Sequence, residues 1–342
     1  MIKPRKQIPV CELAIKRGLD FVYHFGSSVD NFESYGSSLI CCFALLGATA
    51  GDQRLRELGR ARCQQFVRRW TRNHRIVPDD LTPDLLLDFI LVRYALGRLG
   101  VRDQALTAQL RTAAKQFSAL DLLGFDPLNE PPAADVSFPC DCGLKNQRGR
   151  KFCKQCRRRL LMQGRHRVWM EALANTFVAE RCGIVFGARY LDVLKWLTAM
   201  RPYPVQADAN DESLRDAIYA VTHVVYTLND YGTYQLSPRW LPQEFAFLKA
   251  NIAPLCVSGD IELLGELLDS LKAFGLQPTH PLLRRGANYL LAKQNPDGSW
   301  GDPDEVDIRT RCHTTWTAVD GLRACAWRGT RLSFPGTRLL LK

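Results

Sequence analysis

The sequence predicts an all-α fold. Apolar residues recur at the three- and four-residue spacing of helices along most of the 342 residues, and strand-like alternation is scarce. Short breakers containing Gly or Pro separate these stretches. The result is about twelve helices, which pair as six helical hairpins. The predicted helices cover residues 8–25, 32–50, 52–72, 80–98, 102–119, 165–182, 187–200, 211–230, 241–256, 260–274, 279–293 and 312–328.

A small insert interrupts the helices. Four prolines lead into it, which favours a loop over a helix at this point (Pro127, Pro131, Pro132 and Pro139). We therefore divide the chain into a first helical part over 1–126, an insert over 127–164 and a second helical part over 165–342.

Positive charge is concentrated in this insert. The chain has 46 Lys and Arg residues against 35 Asp and Glu, a formal net charge of +11. Ten of the basic residues lie between Cys140 and Arg167, where Asp141 is the one acid, so this segment carries +9. The charge predicts a protein or nucleic-acid partner at the insert and says little about the helical body. An apolar content of 46% excludes a disordered chain.

Four cysteines in the insert have the spacing of a metal site. They form two close pairs, from which four thiolates can surround one tetrahedral zinc ion (Cys140, Cys142, Cys153 and Cys156). With Gly143, Asn146 and Phe152, the stretch resembles the knuckles of zinc ribbons, which implies a structural zinc. It departs from that pattern in its Cys-x-Cys first pair and in Arg157, where the pattern has Gly. The alternative is four unbound thiols.

The insert has two readings once zinc is bound. It is either an insert stabilised by the metal or a protein-docking module, which are the readings we favour, or a nucleic-acid-binding module. Phe152 is the one aromatic residue among its charges, between Cys140 and Arg167, so stacking on bases has little support.

A loop near the C-terminal end carries a second motif. Gln294, Gly298 and Trp300 fit Gln-x-x-x-Gly-x-Trp, and Cys312-His313-Thr follows. The pattern resembles the QW repeat of the squalene cyclase and protein prenyltransferase β-subunit superfamily. This resemblance implies an (α/α)6 toroid with a central cavity and an isoprenoid-like or other small-molecule substrate. The alternative is a plain helix–turn–helix junction.

Two predicted helices carry polar stripes suited to such a cavity. Tyr219, His223, Tyr226 and Asp230 share one face of helix 211–230, and His313 shares a face with Thr317 and Asp320. The candidate catalytic residues are His223, Tyr226, Asp230 and His313. The alternative for each stripe is a hydrogen-bonded core histidine beside a structural aspartate.

Carboxylates on helix 260–274 have a similar ambiguity. Glu262, Glu266 and Asp269 lie on one face, where they could act with the histidines as metal ligands or as acid and base. We favour a solvated outer face. Asp260 is predicted to cap this helix, and the acidic loop over 302–307 is expected to be exposed.

The motifs of the superfamily's known chemistry are incomplete. The chain has neither Asp-x-Asp-Asp nor an Asp-x-Cys pair in its body. A catalytic zinc is therefore not carried over, while the resemblance leaves open a second metal ion in the central cavity. The hypotheses are a cyclase-like or transferase-like enzyme and a non-catalytic helical scaffold whose insert docks a partner.

Location follows from what the sequence lacks. The longest apolar run, Leu39 to Ala50, is too short to span a membrane, and no signal peptide is recognisable. We expect a cytoplasmic protein with buried free thiols at Cys41, Cys42 and Cys63.

Overall fold

The chain is all-α. A computed structural model describes residues 10–133, 136–137, 140, 144, 146, 150, 152–158, 160, 162–204 and 212–341. Within these residues the strands are two antiparallel segments of two residues each, β1 (Val136–Ser137) and β2 (Met162–Gln163). None of the helices described combines the length and the apolar character needed to cross a membrane.

The helices agree in number and order with the prediction, apart from a few short additions. They are α1 (Val10–Phe25), α2 (Val29–Thr49), α3 (Gln53–Asn73), α4 (Pro83–Arg98), α5 (Gln104–Ala114), α6 (Ala119–Leu123), α7 (Arg165–Arg181), α8 (Tyr190–Leu194), α9 (Leu197–Met200), α10 (Glu212–Leu228), α11 (Pro242–Ser258), α12 (Ile261–Ala273), α13 (Pro281–Ala292) and α14 (Ile308–Leu322).

Two compact units make up the chain, and the first is built around α12. This unit comprises the chain up to Arg72 together with Gly232–Pro238 and Pro242–Arg331. Helix α12 packs most extensively on α14 and also contacts α11 and α13, while α1 packs on the other helix of that pair, α14. Because neighbours surround it, α12 is buried on nearly every residue, polar ones included.

The second unit is built around α7. It comprises Asn73–Tyr231, Arg239–Leu241 and Leu332–Lys342. Helix α7 contacts α10, α4, α6 and α8. Its Trp169 and Phe177 are fully buried, and the indole N–H of Trp169 donates a hydrogen bond to the carbonyl oxygen of Val193 at 2.8 Å.

Capping side chains set several helix starts. The Asp260 carboxylate accepts a hydrogen bond from the N–H of Leu263, which confirms the predicted cap of α12. Asp307 caps α14 in the same way through Arg309. The last helix therefore begins at Ile308, earlier than the predicted residue 312. It ends at Leu322, earlier than the predicted residue 328, because the backbone becomes extended at Arg323; Cys325 beyond it forms a β-bridge with Ala50.

Two other predicted helices differ from the structure. Helix α5 ends at Ala114, before the predicted residue 119, and a capping box at Ser118 begins the short helix α6. Residues 187–200 contain α8 and α9 instead of one helix. The toroidal arrangement stays a prediction.

The cysteines of the helical body behave as core residues. Cys41, Cys42 and Cys63 are buried, as predicted, and none of them forms a disulfide with another described cysteine. Burial raises the pKa of Cys63 to about 12, so this thiol stays uncharged.

Candidate functional site

Three cysteine sulfurs of the insert meet in one cluster. The Sγ atoms of Cys140, Cys153 and Cys156 all lie within 4.8 Å of one another, and those of Cys140 and Cys156 are 3.2 Å apart. A tetrahedral ion with metal–sulfur bonds of about 2.3 Å holds its sulfurs about 3.8 Å apart. The cluster could therefore hold a metal ion. Cys142, the fourth predicted ligand, lies outside the described residues.

The turn that follows Cys153 shapes this cluster. The backbone N–H of Cys153 donates to the carbonyl oxygen of Arg158 at 2.8 Å, and that of Arg157 donates to the carbonyl oxygen of Cys153 at 3.1 Å. Arg157 has a φ angle of 64°, in the left-handed region that glycine adopts without steric cost. The zinc-ribbon pattern has Gly at this position. The arginine thus departs from the pattern in residue type but keeps the required backbone.

Asn146 joins the two cysteine-bearing segments. Its side-chain N–H donates to the carbonyl oxygen of Leu144 at 3.1 Å, and its Oδ1 accepts a hydrogen bond from the N–H of Lys154 at 2.9 Å. The backbone N–H of Cys140 closes the first segment onto Leu144 at 3.0 Å. Asn146 is one of the residues that resemble the zinc-ribbon pattern, and these bonds give it a structural role.

The apolar core of the insert is very small. Buried Cys140, Cys153 and Leu160 form it, with the partly buried Leu144 packed against them. Two of these four side chains are metal-ligand candidates. Apolar burial on this scale does not hold a module of this size together.

His223 and Tyr226 lie together on α10, as predicted. Their ring centroids are 5.5 Å apart in an edge-to-face arrangement, and the rings of His223 and Tyr219 are 6.4 Å apart. The Nδ1 atom of His223 lies 2.9 Å from the carbonyl oxygen of Tyr219, one turn earlier. The polar stripe of this helix therefore exists as a row of aromatic rings.

Asp230 does not continue that row along the helix. Helix α10 ends at Leu228, and Asp230 has a φ angle of 56°. The predicted helix over 211–230 was wrong at this end, because the chain turns before Asp230 instead of adding half a turn. The Asp230 carboxylate binds Arg98 at 2.7 Å and Arg181 at 3.1 Å. Sequence spacing gave no sign of these two arginines, which come from α4 and α7.

His313 belongs to the first unit, where it pairs with a carboxylate. Its Nδ1 lies 2.8 Å from Oε1 of Glu262 on α12. The side chain of His313 is 33% exposed and that of Glu262 15% exposed, so the imidazole keeps access to solvent while its partner is mostly covered. A carboxylate orients a histidine in this way in many acid–base sites.

The other carboxylates of α12 are buried. Glu266 is 3% exposed and Asp269 6% exposed. The solvated outer face favoured from the sequence was therefore wrong, because helices pack on every side of α12. Among the described residues, the three insert cysteines form the one group of potential ligands close enough to hold a metal ion. A second metal ion in a cavity thus stays a prediction.

A buried charge network surrounds Asp269. Lys272 lies 3.2 Å from the Asp269 carboxylate and donates hydrogen bonds to the carbonyl oxygens of Asp320 and Arg323, both at 2.6 Å. The Arg323 guanidinium binds the Asp320 carboxylate. Burial raises the pKa of Asp320, against the opposing effect of Arg323. Lys272 and Arg323 were not predicted from the sequence as partners of these acids. Each nevertheless follows its acid by three residues, Lys272 after Asp269 and Arg323 after Asp320.

The QW-like loop has tertiary contacts beyond those of a simple turn. The Gln294 side-chain N–H groups donate to the carbonyl oxygens of Ala14 on α1 and of Gly298, at 2.8 and 2.9 Å. Trp300 is fully buried, and its indole N–H donates to the carbonyl oxygen of Leu290 at 2.7 Å. Its ring packs so closely on Gly18 that a Cβ there would lie 2.6 Å from it. The loop therefore fastens α13 and its own turn to α1.

Comparison with known families adds one finding. A family model described as a domain of unknown function (DUF6895) matches residues 130–315, more than half of the chain. The chain belongs to this family. The DUF6895 match includes the cysteine insert, α7 to α13 and the start of α14 as far as His313 and its neighbours. Neither the curated proteins nor the solved structures gave a match to the chain.

Proposed function

We propose that the insert binds one structural zinc ion through Cys140, Cys142, Cys153 and Cys156. The convergence of three described sulfurs within 4.8 Å carries this proposal. Sulfur-only tetrahedral sites select zinc or iron. A structural zinc would supply the stability that the four-residue core of the insert lacks.

The zinc would also fix the backbone that carries the basic side chains of the insert. Within the described part of the insert, Arg150, Lys154, Arg157 and Arg158 are all exposed. This charge favours docking of a protein with an acidic surface. A nucleic acid is the second candidate partner, with Phe152, 57% exposed, as the sole aromatic contact available among these residues.

Metal analysis of the purified full-length protein tests the zinc proposal. We expect about one equivalent of zinc per chain, as for a closed structural site. Cys156→Ser should lose the metal while its far-UV circular dichroism stays helical. Cys11→Ser, which removes a half-buried thiol far along the sequence, is the matched control and should keep the metal. A metal-free wild type, or iron in place of zinc, would contradict the proposal.

A second candidate function concerns the helical body. We propose that it catalyses acid–base chemistry on an isoprenoid-like or other small substrate, with His313 as the proton-transferring group. The 2.8 Å contact with Glu262 supports this, because a carboxylate only accepts and thereby fixes the proton on Nδ1. The lone pair of a neutral imidazole is then on Nε2, from which a base acts. His223, Tyr226 and Asp230 are the candidates in the other unit.

Prenyl diphosphates are the probes for this enzyme hypothesis. The protein would be incubated with farnesyl diphosphate, and the products identified by mass spectrometry. Turnover that falls at least about a hundredfold in His313→Gln supports His313 as the acid–base group. His24→Gln, at an exposed histidine of the same unit, is the control. Failure of the wild type to convert the probe would contradict the isoprenoid class, and full turnover by His313→Gln would contradict the role of His313.

A further inference from the structure

A pocket of the second unit is lined by arginines. It has a volume of about 310 Å³, and its lining includes Arg93 and Arg98 from α4, Arg102 from the following loop, Arg181 from the end of α7, and Asp230. Four arginines and one aspartate line the pocket, so these residues carry a formal net charge of +3. Apart from Asp230, none of the cysteine, histidine or carboxylate groups proposed above lines this pocket.

Several of these arginines are held in place. The Nε of Arg93 donates to Oγ1 of Thr107 at 2.9 Å, and its Nη1 donates to the carbonyl oxygen of Val101 at 3.1 Å. Arg98 and Arg181 are held by the Asp230 carboxylate. The Arg181 guanidinium also lies 5.0 Å from the ring centre of Phe334. Guanidinium groups fixed in this way lose little side-chain entropy when they bind an anion.

The acid that holds them sits on unusual backbone. Asp230 and Tyr231 have φ angles of 56° and 44°, two successive non-glycine residues in the left-handed region. Such conformations persist only where surrounding contacts enforce them, and they are frequent at ligand sites. Here the turn brings the buried Asp230 carboxylate between two arginines of different helices, so it orders the pocket without neutralising it.

Arg102 differs from the other three. It is exposed, and within the described residues it has no hydrogen bond or ion pair. Cys182 also lines the pocket, but burial raises its pKa to about 11, with Arg93 opposing, so it adds no negative charge at neutral pH. Asp230 is the one carboxylate among these lining residues, so a ligand with two negative charges would lower their formal net charge from +3 to +1.

We propose that this pocket binds a phosphate group, either as inorganic phosphate or as the phosphate of a small monoester. Guanidinium groups recognise phosphate through paired, charge-assisted hydrogen bonds, and the dianion matches the charge excess better than a single carboxylate. The volume lies at the lower end of the range of about 300–1,000 Å³ for small-molecule pockets. It accommodates a phosphate with a small organic group.

Calorimetric titration of the full-length protein tests this proposal. Sodium phosphate and glycerol 3-phosphate would be titrated separately, with sodium chloride at equal ionic strength as the blank. We expect dissociation constants on the order of 1 mM or below for at least one probe. Tighter binding of the ester than of phosphate identifies a monoester site, and the reverse identifies a site for the free ion.

Two charge-matched variants locate the site. Arg102→Gln removes an exposed arginine of the pocket and should weaken binding about tenfold, as expected for loss of a charged hydrogen bond. Arg150→Gln removes an exposed arginine of the basic insert and should leave binding unchanged within about twofold. The proposal is overturned if neither probe gives heat above the blank, if Arg102→Gln binds like the wild type, or if Arg150→Gln weakens binding as much as Arg102→Gln.

Discussion

The amide oxygen of Asn146 accepts a hydrogen bond from the backbone N–H of Lys154 at 2.9 Å. Lys154 lies between Cys153 and Cys156, the second cysteine pair. The Asn146 side chain also donates to Leu144 in the first segment. One asparagine thus holds both halves of the cysteine cluster in register. Second contacts of this kind position metal ligands and contribute to metal affinity.

Asn146→Ala should therefore weaken metal binding without removing a ligand. We expect a loss of about tenfold in zinc affinity, the lower end of the effect of outer-shell partners. Competition with a chelator of known affinity measures it. Gln155→Ala, at an exposed residue between Cys153 and Cys156, is the control and should retain the affinity. Equal affinities in the wild type and Asn146→Ala would contradict a positioning role.

Arg157→Gly should make the insert more resistant to unfolding, or at least no less so. The φ angle of 64° costs a non-glycine residue on the order of 1–2 kcal/mol, which offsets the added flexibility of glycine in the unfolded chain. Arg158→Gly removes the same charge at the adjacent residue, whose φ angle is not positive, and should destabilise the insert. The rate at which each variant loses zinc to a chelator measures the resistance of its insert to unfolding. Faster zinc loss from Arg157→Gly than from Arg158→Gly would contradict the predicted effect of the positive φ angle.

Lys272→Met should strongly destabilise the first unit. It leaves the buried Asp269 carboxylate and the carbonyl oxygens of Asp320 and Arg323 without their cationic donor. Removing one partner of a buried ion pair costs about 3–5 kcal/mol. Urea denaturation followed by far-UV circular dichroism measures the loss. The double variant Asp269→Leu with Lys272→Met should recover part of it, since no charge is then left unpaired. A double variant less stable than Lys272→Met alone would show that the lysine does not act through Asp269.

His166 makes stability depend on pH. It is 8% exposed, with Nε2 3.0 Å from the carbonyl oxygen of Met200, and burial lowers its pKa below the usual 6.5. Near pH 6.5 the unfolded chain therefore binds more protons at this residue than the folded chain does, so stability falls as the pH drops below about 6.5. The fall in melting temperature between about pH 7 and about pH 5 should be smaller for His166→Gln than for the wild type. His24→Gln, at an exposed histidine, should keep the slope of the wild type, and an unchanged slope in His166→Gln would contradict the assignment.

The helical spacing of apolar residues and the capping residues in the sequence predicted most of the helices. The cap at Asp260 and the buried thiols followed from local patterns, because capping and apolar periodicity act within a few residues. The last helix begins earlier than predicted, because Asp307 caps it. Asp230 lies outside the helix predicted to contain it, because Asp230 and Tyr231 adopt left-handed backbone after α10. Neither departure is visible in apolar periodicity.

Contacts between distant segments could not be predicted in the same way. The carboxylates of α12 looked like a solvated face because Lys272 and His313 meet them only after folding. The arginines around Asp230 come from helices far apart in the chain. The cysteine cluster was the exception, since its ligands lie within 17 residues of one another, from Cys140 to Cys156, and their spacing itself indicates a metal.

X-ray absorption at the zinc edge tests the central claim most directly, because it counts and identifies the atoms bound to the metal. Four thiolates from Cys140, Cys142, Cys153 and Cys156 predict a single shell of four sulfurs at about 2.3 Å from zinc. A shell containing nitrogen or oxygen at about 2.0 Å, or protein purified without zinc, would contradict it.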